Sequence, residues 1–295
     1  MIVVTAPTGN IGRRLVQDLL DDDALVRVVV RDPARLAPGV AERVEIVRGS
    51  HGDPAVVAEA FAGADAVFWL VAADPRAETV DAAFSGFTRP VLDAFTAQGV
   101  GRVVGISALG RGTPVAGRAG HVTATLAMDD LIADTGVPYR ALTMPSFMDN
   151  TLWQAGPIAA EGVLYGPNLP DLPAPMAATR DIAAVAARLL RDDTWTGFDE
   201  VPVLGPKDLT YDEVAAVISD VLSRPVRYQQ IPGEVYKVNM MRSGYSEPMA
   251  QALLDMALAK NNGLDNGVAR TARTSTPTTF RQWCTDVLKP AIDSL

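Results

Sequence analysis

The sequence holds one cysteine, Cys284, and two histidines, His51 and His121, on unrelated segments. A single thiol forms no internal disulfide, so nothing in the chain points to an oxidising compartment. Three possible ligands scattered this way make no metal set. Positive charge is also scarce: 26 Lys and Arg stand against 35 Asp and Glu, for a net charge of −9. A nucleic-acid backbone requires a basic footprint, so nucleic acid is excluded as a main partner. The longest apolar run, Ala66 to Ala73, is too short to span a bilayer. The apolar start ends at Pro7 and has no basic leader, so a cytoplasmic protein without a membrane partner is expected. Only four lysines occur, and none precedes Lys207.

What is present is patterned. The 295 residues, 48% of them hydrophobic, suffice for one large or two modest domains. Ile2, Val3 and Val4 form an uncharged β-branched run, as in a strand buried on both faces. Thr5-Ala6-Pro7-Thr8-Gly9 breaks it. Ile11, Leu15 and Leu19 then recur every four residues, so an amphipathic helix follows. A strand, a tight turn and a helix N-terminus present free amides and a favourable dipole to an anion. The dinucleotide fingerprint asks for three glycines there. Gly9 and Gly12 are present, but Ala6 holds the first place, where its methyl still permits an ordinary negative φ. Taken alone, the turn equally suits any strand–turn–helix opening of an α/β domain.

Further strands are expected at Leu25–Val30, Val44–Val47, Ala66–Val71, Arg102–Ile106 and Tyr139–Met144, with helices between them. Asp32-Pro33, Asp53-Pro54 and Asp74-Pro75 follow three of these strands, and each reads as a helix cap with Pro in the first turn. Such alternation predicts an α/β protein with a doubly wound parallel sheet over residues 1–150, its ligands beyond the carboxyl ends of the strands. Beyond Asn150 the character changes. Residues 151–176 are irregular and rich in Pro and Gly. A helix at Arg180–Leu190 and a strand at Val201–Leu204 predict that 177–205 rejoins the sheet. Thr210 to Glu213 fits a capping box for a helix through Val221. Segments 151–176 and 206–295 are expected to form a smaller, mostly helical substrate lobe. Its methionines, Met240, Met241, Met249 and Met256, suit either a core or an adaptable pocket.

In this order the motifs resemble the NmrA-like family, a branch of the atypical short-chain dehydrogenases/reductases. Thr5 to Gly12 is similar to that family's TGATGxxG turn, and Val30-Arg31-Asp32-Pro33 to the segment after its second strand. Gly105-Ile106-Ser107-Ala108, Tyr139 to Asn150, and Thr179-Arg180-Asp181-Ile182-Ala183 match later motifs, as do Gly205-Pro206, Leu209 to Ala215 and Arg273 to Trp283. The resemblance implies a Rossmann fold and NADP(H). It places Thr5, Thr8, Gly9, Asn10 and Ile11 on the pyrophosphate, Arg31 on the 2′-phosphate, and Ala72, Ser107, Ser146 and Phe147 along the cofactor. Arg31 fits chemically, because an acidic residue at this turn binds ribose hydroxyls whereas arginine accommodates a phosphate. Arg35 and Arg48 can add charge, and Asp32, before Pro33, suits a cap. The other reading is a solvated loop arginine.

The departures define the chemistry. Common short-chain dehydrogenases carry a tyrosine and, four residues later, a lysine after the fifth strand. Between Ser107 and Pro138 this chain has neither. Ser50 replaces the aspartate that touches adenine in the family, and Met144 the arginine of its LRPG stretch. Ser107 and His121 remain as hydroxyl and imidazole near the reacting end, each equally an ordinary turn or helix-end residue. Leu109, Asn150, Trp153 and Met241 are candidates for the substrate pocket, with core as the alternative for Trp153. The expected function is hydride transfer to a conjugated apolar acceptor such as a quinone, imine, azo or enone compound. A non-catalytic NADP(H)-sensing regulator and a non-redox cyclase or isomerase are the alternatives. The expected assembly is a monomer or homodimer.

Overall fold

The computed structural model describes residues 1 to 295. Seven strands form one parallel sheet: β1 (Ile2–Thr5), β2 (Val26–Val30), β3 (Glu45–Arg48), β4 (Ala66–Trp69), β5 (Arg102–Ala108), β6 (Tyr139–Met144) and β7 (Phe198–Pro202). Their order is β7-β6-β5-β4-β1-β2-β3. Val4 sits opposite Val28 on one side and Phe68 on the other. The strand order reverses beside β1, which opens a crevice at the carboxyl ends.

Helices α1 (Asn10–Asp21), α2 (Pro54–Phe61), α3 (His121–Ala133) and α4 (Thr179–Arg191) cover the sheet. Val4, Val28, Phe68, Val104 and Leu142 pack with Leu15, Leu19 and the small Ala183 and Ala186 of α1 and α4. Val3, Val29, Val67, Trp69 and Val103 pack instead with α2 and α3. Both faces are covered, which is why the interior strands read as unbroken apolar runs. Leu15 and Leu19 are fully buried, and each such side chain stabilises the fold by roughly 1.5–3 kcal/mol.

The edges differ. β3 and β7 carry Glu45 and Arg48, and Asp199 and Glu200, charges that discourage further pairing. β7 begins three residues before the strand expected at Val201, with Phe198 stacked on Tyr139 at 5.7 Å between centroids. Asp32 and Asp53 cap as expected, accepting from the N–H of Ala34 (3.1 Å) and Ala55 (2.9 Å). Asp74 corrects the pattern. It accepts from Arg76 N–H at 2.9 Å, yet only a turn follows, and the next helix starts at Val80 behind Thr79. The turn is held from outside: Ser246 donates its N–H to Pro75 O (2.9 Å) and its hydroxyl to Ala77 O (2.6 Å).

The C-terminal region contains α5 (Tyr211–Leu222), α6 (Gly233–Arg242) and α7 (Glu247–Asn261). Thr210 and Glu213 form the expected reciprocal capping box. A parallel pair, Val163–Gly166 with Arg227–Gln230, adds a strand element to this otherwise helical region. Ile158, Val214, Ile218, Tyr228 and Trp283 build a core of its own. Met249 of α7 is fully buried in the sheet's own core cluster, whereas Met241 of α6 is exposed. No helix is long and apolar enough to cross a membrane.

Candidate functional site

The turn after β1 departs from the simple expectation at Ala6. Its φ is +49°, in the left-handed region, so the negative φ foreseen from a tolerated methyl is not what the chain adopts. The cause is closure of the turn: Gly9 N–H donates to Ala6 O at 3.2 Å, and Arg13 N–H to Gly9 O at 2.8 Å. A Cβ on Gly12 would overlap that same Ala6 carbonyl oxygen and lie 2.9 Å from its carbon. Only glycine lets α1 start this close. No side chain caps α1, so its first amides face the crevice. An alanine at positive φ is strained by about 1–2 kcal/mol. Ala6→Gly relieves this while loosening the unfolded chain by about 0.4–1 kcal/mol. A small gain in melting temperature is therefore expected, with NADPH binding retained or tightened. A clear fall in either measurement would show that the turn follows another path.

The crevice is a cleft of about 1760 Å³ counted out to solvent, with Ala6 to Gly9 at its base. Arg31 and Arg35 line one end, His51 and Ala72 the wall, and Pro75 and Ala77 the far rim. Arg31 is exposed, and Arg48 Nε donates to its carbonyl at 3.4 Å. Asp32 is turned to its own cap, which leaves Arg31 and Arg35 as the charges at this end. His51, in the loop after β3, lies in this wall. Its ring lies edge-on to Trp69 (5.1 Å) and Phe87 (4.9 Å), with Nε2 3.0 Å from Leu70 O. Burial pushes its pKa down to about 4, so it is neutral. Beside it, Ser50 accepts from Gly52 N–H at 3.2 Å.

The other expected residues divide between this cleft and the rest of the fold. Thr5 is wholly buried, donating to Phe68 O and accepting from Leu70 N–H, both at 2.9 Å, so its hydroxyl ties β1 to β4. Thr8 and Gly9 line the cleft, Asn10 is exposed at the start of α1, and the Ile11 side chain belongs to the core. Leu109 is 2% exposed and Phe147 half-buried against the core. Residues 148–154 form a 3₁₀ stretch whose three-residue turn buries Met148 and Thr151. Asn150 and Trp153 fall on its open side, and Trp153 is 71% exposed, outside the core and outside the lining of the cleft. His121 places Nε2 3.2 Å from Met249 O and its ring edge-on to Phe84, with burial lowering its pKa. That contact joins α3 to α7. Ser146 lines a separate recess of about 400 Å³ with Leu172, Met176, Leu209, Tyr211 and Lys260.

Behind the carboxyl end of β5 is a cluster the sequence did not show. Ser107 donates its hydroxyl to Asp129 of α3, and Tyr139 donates to the other carboxylate oxygen at 2.6 Å. Asp129 is 0% exposed. Burial raises its pKa to about 7, against smaller lowering effects from the two hydroxyls. The folded protein thus keeps this proton where the unfolded chain has lost it. Stability falls as pH rises from the usual carboxylate range to about 7, then levels.

An uncapped helix N-terminus, an arginine at one end and a long cleft between suit a dinucleotide. The profile of a family described as NAD(P)H-binding matches residues 7–193. The chain belongs to this NAD(P)H-binding family. The NmrA-like resemblance of its motifs holds at that level. It is 35% identical over 292 residues to a (4-alkanoyl-5-oxo-2,5-dihydrofuran-3-yl)methyl phosphate reductase of Streptomyces griseus, covering 96% of each chain. It is 29% identical over 258 residues to an NAD(P)H azoreductase of Xenophilus azovorans, covering 87% of this chain and 86% of the relative. Its fold is similar to the NADPH complex of an Escherichia coli NADPH-dependent quinone oxidoreductase, with a TM-score of 0.78 at 21% identity, covering 98% of this chain and 99% of the other. The protein is an NAD(P)H-binding oxidoreductase of that family.

Proposed function

We propose that this oxidoreductase is an NADPH-dependent reductase delivering hydride to a conjugated, apolar small molecule, with an enone-type acceptor favoured over quinone, imine and azo compounds. The whole-length likeness to the S. griseus reductase carries this reading. That relative's named substrate holds a ring alkene conjugated to two carbonyls. Hydride added to such an alkene leaves charge spread over both oxygens, so the acceptor needs less acid assistance than a ketone. A chain with no tyrosine or lysine between Ser107 and Pro138 suits that chemistry.

NADPH, when bound, supplies the hydride; the protein positions the partners, excludes water and manages the proton. In this reading the first amides of α1, with Thr8 and Gly9, hold the pyrophosphate, and Arg31 and Arg35 meet the 2′-phosphate. Ala72, Ser146 and Phe147 follow the cofactor towards its nicotinamide end, where Ser107 offers its hydroxyl. The acceptor enters the recess of Leu172, Met176, Leu209 and Tyr211. Lys260 there already meets both carboxylate oxygens of Asp265, at 2.9 and 2.7 Å. The recess therefore offers no unpaired cation, and the reading stops at the conjugated group without extending to a phosphate.

The test is NADPH consumption with a panel of enones, quinones, imines and azo dyes, with a simple ketone as control. The expected result is turnover of conjugated acceptors, enones fastest, and little with the ketone. If no acceptor is reduced while NADP⁺ and NADPH bind with clearly different affinities, a redox-sensing role replaces the reductase.

A further inference from the structure

Reduction of a conjugated acceptor adds a proton as well as a hydride, and this chain lacks the usual phenol and ammonium to provide it. The buried cluster behind β5 has the parts for that task. Val103, Gly105 and Ser107 alternate towards the face covered by α3. Gly105 leaves room for the phenol: a Cβ there would overlap the Tyr139 hydroxyl and lie 2.7 Å from Cε2 of its ring. Through that gap Tyr139 of β6 reaches Asp129, while Ser107 of β5 reaches its other oxygen. No cation pairs with Asp129. The neighbouring Asp130 takes Arg111 at 2.9 Å, and Arg111 also meets Glu200 of β7 at 2.6 Å. Of the charged groups acting on Asp129, Arg111 favours its anion and Glu200 opposes it. A fully buried carboxyl held only by two hydroxyls is poised to carry a proton.

We propose that Asp129 is the proton store of the reaction, passing its proton to Ser107 Oγ as Ser107 gives its own to the reduced acceptor. The step balances. The acceptor has gained a hydride and bears a negative charge; a bond forms between it and the Ser107 hydroxyl proton. The Oγ–H bond breaks and is remade with the proton from Asp129 Oδ2, whose O–H bond breaks in turn. The resulting carboxylate accepts hydrogen bonds from Ser107 and Tyr139, the arrangement seen in the structure. Solvent restores the proton after product leaves. Asp129 acts through Ser107 and is therefore a positioning and supplying residue, not one that touches substrate. The proposal rests on the reductase reading above.

Infrared spectroscopy of the whole protein, with and without NADPH, tests it without turnover. A protonated-carboxyl band missing from Asp129→Asn should titrate away with a midpoint near pH 7. Tyr139→Phe removes one hydrogen bond to the anion, so it should move that midpoint upward, and this variant keeps the test alive if Asp129→Asn does not fold. With an acceptor from the panel, wild-type reduction should decline as pH rises through the same midpoint. Asp129→Asn should slow reduction roughly a hundredfold, flatten the pH profile and leave NADPH affinity intact. Ser107→Ala should lose a similar factor, and the double variant little more, as groups acting in one unit do. No Asp129 carboxylic acid above pH 5, or an active Asp129→Asn protein with the wild-type profile, overturns the proposal alone. A wild-type protein inert to every acceptor overturns the reductase reading, and this proposal with it.

Discussion

Gly12→Ala should unseat the start of α1 and abolish tight NADPH binding. The added methyl would overlap the Ala6 carbonyl oxygen and come within 3.0 Å of Pro7 Cα. Both obstacles are backbone, so no side chain can swing aside. Overpacking of this kind costs about 1–3 kcal/mol of stability. Binding suffers more, because the helix can only recover by withdrawing its first amides from the cleft. Charge-assisted hydrogen bonds contribute roughly 1.5–3 kcal/mol each, so losing two weakens the cofactor at least about a hundredfold. Gly9→Ala is the control. Its φ is −78° and its new Cβ would lie 3.6 Å from Ala6 O, an ordinary contact, so the fold should persist. Calorimetric titration with NADPH and thermal melts read both. Wild-type affinity in Gly12→Ala would mean that the turn is not the pyrophosphate site.

Arg31→Ala should weaken NADPH by roughly 10- to 150-fold while leaving NADH nearly unchanged, the span of one charge-assisted hydrogen bond. Asp32 does not compete for the ribose, since its carboxylate is committed to Ala34 N–H. Arg35 stays in place, which sets the loss nearer the lower figure than complete failure. Because Arg31 is exposed, the wild-type preference should also shrink as salt rises. Equal losses for the two cofactors in titrations at one ionic strength would show that Arg31 supports the loop and does not read the phosphate.

The sheet was legible because burial on both faces writes itself as runs of Val and Ile. Edge strands lack that signature. Phe198–Pro202 carries an exposed Asp199 and a half-buried Glu200 paired with Arg111, and only its last residues resemble a strand. Asp74-Pro75 looks identical to its two siblings. The difference lies 171 residues later, in Ser246, whose bonds to Pro75 O and Ala77 O hold the segment as a turn. Trp153 invited a pocket assignment by its chemistry, but the three-residue period of a 3₁₀ stretch turned it outward. Asp129 leaves the faintest trace in the sequence. In the run Met128-Asp129-Asp130 nothing separates the buried carboxylate from the exposed one. Helix phase puts Asp129 beneath Ser107 and Tyr139, residues 22 and 10 positions away.

In the proposed reading helix α7 touches both ends of the chemistry. Its cap residue Ser246 grips the rim of the cofactor cleft at Pro75 and Ala77, while Lys260 and Asn261 in its last turn stand in the recess wall. Fifteen helical residues form a stiff rod of roughly 22 Å. A rod of fixed length relays displacement: a cofactor that firms the rim also firms the far wall. On that reading binding is expected to have an order, with the dinucleotide arriving first and the acceptor second. A dead-end analogue of the acceptor should then inhibit uncompetitively against NADPH, the kinetic mark of a compulsory order.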